Sequence, residues 1–127
     1  MAIHNRPITE LHAEITGWKS NIELVREDIS IYQQQLKEIV RKNNSEELLK
    51  AVEHFQNQFI RQLEVSDELL HDLHATDHEL ALDAGEGPDS ELIEAKDQTA
   101  LRDRANTYDK LFIELKNEYH LFLEKWM

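Results

Sequence analysis

A chain of 127 residues with 40% apolar and 31% charged content, three Gly and two Pro has the size of one domain and too few turn-formers for a loop-rich fold. Fourteen Lys and Arg against 26 Asp and Glu leave a formal net charge of -12, so nucleic acid and anionic membrane, which would be repelled, are excluded as expected partners. The absence of Cys excludes disulfides, thiolate metal sites and thiol catalysis.

No stretch approaches the roughly eighteen consecutive apolar residues of a membrane span. The start, MAIHNRPITE, lacks the basic segment and apolar run of a secretion signal. The expected location is therefore cytoplasmic.

The first element carries the clearest pattern. Ile8, Leu11, Ile15, Trp18, Ile22, Val25, Ile29, Tyr32, Leu36 and Ile39 are spaced alternately three and four residues apart, the a/d repeat of a helix that packs along a seam. A helix over about 7–42 opens at Pro7, where the missing amide hydrogen has no helical acceptor. It closes with Arg41, Lys42, Asn43 and Asn44, which suit the last carbonyls and a left-handed cap. At about 1.5 Å per residue this rod is roughly 50 Å long, and it needs partners to cover its seam. Gly17 lies inside it, either to make room beside Trp18 or as a plain surface residue.

A second helix is expected over 45–83, capped by Asn44 or Ser45, with Asn44 and Glu47 spaced as a capping box. Its seam runs Leu48, Val52, Phe55, Phe59, Gln62, Ser66, Leu69, Leu73, Thr76 and Leu80. The polar pair Gln62 and Ser66 suggests a phase slip that turns both to the edge and brings Leu63 into the core, with Leu70 on the same neighbouring track. The alternative is a small polar cavity at that level. Gly85, Glu86, Gly87 and Pro88 make the next turn.

The third helix is expected over 90–126 with Asp89 or Ser90 as cap. Leu92, Ile93 and Ala100 stand out of register, and from Leu101 the repeat continues through Ala105, Tyr108, Phe112, Leu115, Tyr119, Phe122 and Trp126. Short connections make consecutive helices antiparallel. The fold class is therefore all-α: an up-down-up antiparallel three-helix bundle of long coiled-coil-like helices, one domain spanning 1–127. With a Trp in the first helix, Trp18, the architecture resembles the spectrin-like three-helix coiled coils. Parallel first and third helices place Leu36 and Ile39 at one end with Leu48, Val52, Phe55, Tyr119, Phe122 and Trp126.

Two groups of residues are candidates for function. Between Arg61 and Lys96 the chain has no Lys or Arg but eleven acids, so that end is expected to be negative. It also holds His71, His74 and His78, near Glu68, Asp72 and Asp77. Glu68 and His71 have the Glu-x-x-His spacing of di-iron bundles, but no second such pair exists and three helices supply one too few ligand sets. With Leu69 and Leu73 on the seam, His71 and His78 fall at f and His74 at b, facing solvent, where the three imidazoles are at most a weak transition-metal site. The second group is Leu24 and Ile31, at successive c positions of the first helix. With Ile60, Ile113 and Leu121 they lie outside the seam, and the Leu24 and Ile31 face is an expected interface for a homodimer or a partner helix. No nucleophile elbow or phosphate loop occurs, and no cofactor is implied. The expected function is a non-enzymatic interaction or scaffold module. A metal- or small-ligand-binding bundle using the His71, His74 and His78 region is the alternative, and acid-base catalysis ranks last.

Overall fold

The computed structural model describes the backbone of residues 8–83 and 88–127 and the side-chain surroundings of residues 10–81 and 99–127. Its elements are α1 (Ile8–Lys42), α2 (Glu46–Asp83) and α3 (Pro88–Trp126). All three pack on one another as an all-α three-helix bundle, and none among the described residues is long and apolar enough to cross a membrane. The turn at Gly85, Glu86 and Gly87 lies outside the described residues, as do the side chains of Ile8, Asp83, Glu86, Asp89, Glu91, Leu92, Ile93 and Glu94.

Each helix boundary has a local cause. Asn43 N donates to Ile39 O at 3.1 Å, finishing α1, and Leu48 N donates to Ser45 Oγ at 3.2 Å. Ser45, not Asn44, is therefore the cap of α2; Asn43 Oδ1 accepts from Ser45 N at 3.0 Å. The expected start of the third helix is corrected by two residues. Pro88 is its first residue, where a fixed φ and a missing N–H cost nothing, and Asp89 and Ser90 lie inside the helix.

The core follows the heptads. Leu11, Ile15, Ile22, Val25, Ile29, Tyr32, Leu36 and Ile39 of α1 are buried, with Leu48, Val52, Phe55, Phe59, Leu69, Leu73 and Leu80 of α2. From α3 come Leu101, Ala105, Tyr108, Phe112, Leu115, Tyr119 and Phe122. Each large side chain removed from water contributes on the order of 1.5–3 kcal/mol. Trp18 and Trp126 are only half-buried against this core. A Cβ at Gly17 would meet nothing within 4 Å, so this glycine is a plain surface residue and makes no room for Trp18.

The expected phase slip in α2 does not occur. Gln62 is 8% and Ser66 0% exposed, while Leu63 and Leu70 stay half-buried. The seam keeps one register because the hydroxyl finds partners inside it. Ser66 Oγ donates to Gln62 O at 2.8 Å, one turn back, and accepts from the Tyr108 hydroxyl at 2.5 Å. A buried serine satisfied in this way costs less than re-phasing the apolar residues on either side.

Candidate functional site

The pairing of α1 with α3 defines the most distinctive surface of the molecule. Arg102 donates to both carboxylate oxygens of Glu14 at 2.7–2.8 Å from Nη2, with Nε at 3.2 Å. Asn21 Nδ2 donates to Asp109 Oδ1 at 3.3 Å, and Lys116 Nζ lies 4.0 Å from Asp28 Oδ2. The rungs climb by seven residues on both helices, so α1 and α3 run parallel and in constant register. Their g and e positions face one another, the arrangement by which flanking charges fix alignment between parallel helices. At the next level Tyr119 caps the ladder, its hydroxyl within 2.9 Å of Gln35 Oε1 and 3.2 Å of Tyr32 O.

This ladder is the floor of a furrow, and apolar residues line its banks. Leu24 follows Asn21 by three residues and precedes Asp28 by four, which puts it on their face of the helix. Ile31 repeats that relation between Asp28 and Gln35. On α3, Ile113 follows Asp109 by four and precedes Lys116 by three, so it stands on the opposite bank. Leu24 is 60%, Ile31 55% and Ile113 48% exposed. Above the last rung the furrow widens into an open hollow of about 710 Å³ bordered by Ile31, Ile39, Trp126 and Met127, with Gln34, Gln35, Glu38 and Lys42 at its edge.

The sequence alone places Leu24 and Ile31 on one face and Ile113 only outside the seam. What it missed is that Ile113 faces them across one groove. The signal was present in the parallel series Glu14, Asn21, Asp28 and Arg102, Asp109, Lys116, a constant offset between two seven-residue ladders. Ile60 and Leu121 are exposed but lie off this furrow, at a b position of α2 and a c position of α3.

His71, His74 and His78 are exposed, as their register positions predict. Among the described residues no three His, Asp or Glu side chains are gathered as an ion would require. Several carboxylates near them are engaged in cross-helix pairs: Asp72 accepts from Arg104 at 2.7 Å and Asp67 lies 3.1 Å from Arg26. Asp77 takes His12 at 2.5 Å and Lys19 at 3.3 Å. Partial burial pushes the Asp77 carboxyl up, but the hydrogen bonds and charges of His12 and Lys19 outweigh it and hold the group below its ordinary range. Bases from α1 and α3 thus reach into the acid-only interval of α2, and the negative end expected from the sequence is partly neutralised.

The buried tyrosines are shifted the other way. Burial raises Tyr119 well above the usual phenol range, with Tyr32 adding to it, and burial followed by the Asp28 charge raises Tyr32. Burial also raises Tyr108, against a lowering pull from Ser66 and Gln62. The Gln62 amide is close enough to favour a phenolate electrostatically, yet its Nε2 makes no hydrogen bond and is the one buried side-chain nitrogen or oxygen without a partner among the described residues. All three phenols are held neutral, the state in which each hydroxyl can donate a hydrogen bond within the core. Comparison with known protein families, curated proteins and solved structures finds no match to this chain.

Proposed function

We propose that the chain is a non-enzymatic helical interaction module, in the manner of a coiled coil, whose α1–α3 furrow is covered by another helix from a second copy or a different protein. The observation that carries the reading is Leu24 and Ile31, one heptad apart and each more than half exposed, beside a furrow whose far bank bears Ile113. Single exposed apolar residues are ordinary. Three that border one groove, continuous with an apolar hollow, make a patch of the kind that marks contact surfaces.

The test is the double substitution Leu24→Glu with Ile31→Glu. Both side chains are exposed, so helicity and thermal midpoint by circular dichroism should stay as in the wild type. The partners cross-linked to tagged protein in its own cells, and the mass in sedimentation velocity, should both fall. An unchanged set of partners and an unchanged mass would remove the furrow from the protein's role.

A further inference from the structure

We infer that the occupant of the α1–α3 furrow is an amphipathic helix with basic flanks, seated with its apolar face on Leu24, Ile31 and Ile113; this rests on the interaction role proposed above. Shape calls for a helix. Leu24 and Ile31 are separated by one heptad, about 10 Å along the axis, so apolar residues spaced i, i+3, i+4 and i+7 on one face of an incoming helix meet both. The open hollow beside Trp126 receives the end of such a helix where the ladder stops.

Charge selects among helices. From Ser20 to Gln35 the outward positions of α1 carry Glu23 and Glu27 and no base, while Asp28 belongs to the Lys116 rung. Arg26, the only base in that stretch, stands at an e position, where it reaches Asp67 of α2 at 3.1 Å and lies 3.6 Å from Glu23, so Glu27 is the acid there that no base of the stretch engages. Glu23 and Glu27 flank Leu24 directly. A second copy would bring the same acids against them, on a chain already at net charge -12, and like charges facing across a contact suppress it. Lys or Arg beside the apolar anchors of a partner meets these carboxylates instead.

The experiment titrates the full chain, by isothermal calorimetry at low salt, with two synthetic helices that share Leu at i, i+3, i+4 and i+7. One carries Lys on both flanks and the other Glu. The Lys helix should bind at least about tenfold more tightly, and the preference should fade in 1 M salt, where exposed charges are screened beyond about 3 Å. Glu23→Lys with Glu27→Lys should reverse the preference without loss of fold, and Leu24→Glu with Ile31→Glu should abolish binding of the Lys helix. Equal affinity for the two helices at low salt, or binding of neither, overturns the inference. A wild-type dimer that the Leu24 and Ile31 double variant dissolves overturns the basic partner and leaves the interaction module standing. A double variant that binds the Lys helix as the wild type does overturns both.

Discussion

Two levels of one seam do different work. Near the first turn, Tyr32, Phe55, Phe59, Tyr119 and Phe122 form a continuous ring cluster. Phe55 and Phe122 centroids are 5.0 Å apart, Phe59 and Tyr119 5.2 Å, and Tyr32 and Tyr119 4.7 Å. About one and two turns along α2 from Phe59, the same a/d positions hold Gln62 and Ser66, the latter joined to Tyr108 of α3. The first level gains from large apolar area and ring geometry, each aromatic pair adding about 0.5–1.5 kcal/mol beyond burial. The second gives up apolar area and leaves one amide unpaired. Heptad position therefore determines that a side chain is buried, and the residue type at that position determines whether burial stabilises the fold or restricts which neighbours it accepts.

The contrast is open to direct attack. The largest effect should come from Phe59→Ala, which empties a fully buried site in the ring cluster and should cost about 3–5 kcal/mol in urea denaturation. A loss below about 1 kcal/mol would mean that the cluster is loosely packed. Gln62→Leu should act in the opposite direction. It removes a buried amide without a partner and should stabilise the fold by about 1–2 kcal/mol, a gain visible as a higher denaturant midpoint at unchanged slope. If Gln62→Leu destabilises, the amide has a partner in solution and the polar level is fully satisfied.

The smallest effect concerns acid. Because Asp77 is held below its ordinary range, its charged form is favoured by the fold. That contribution is complete above the unfolded carboxyl value of about 4 and is lost as pH falls through the lower folded value. Asp77→Asn should therefore be less stable than the wild type at neutral pH and converge on it in acid. Parallel stability curves for the two proteins across that range would show that the His12–Asp77–Lys19 contact contributes nothing.

Much of the architecture was legible because it rests on periodicity. The alternation from Leu11 to Ile39 and from Leu101 to Phe122 marks the buried faces, with Trp18 alone half-buried, and Arg41, Lys42 and Ser45 mark the ends, whereas Pro88 reads as a turn residue and in fact opens α3. Gln62 and Ser66 were misread because composition alone gives a buried hydroxyl no partner. The partner, Tyr108, is 42 residues away and is brought in only by antiparallel packing of α2 and α3. Leu24 and Ile31 were readable as surface residues from their c positions. The furrow was not, since it exists only once α1 and α3 lie parallel in a definite alignment.

That alignment has a reason in the ladder between α1 and α3. A purely apolar seam repeating every seven residues is degenerate under axial translation, because sliding one rod by a repeat restores nearly the same set of buried neighbours. The rungs lift the degeneracy. Moved one repeat in one direction, Glu14 would face Asp109 where it now holds Arg102; moved the other way, Asp28 would face Asp109 where it now meets Lys116. Either displacement sets carboxylate against carboxylate, so a row of half-exposed polar pairs, each weak by itself, selects one of several otherwise near-equivalent assemblies.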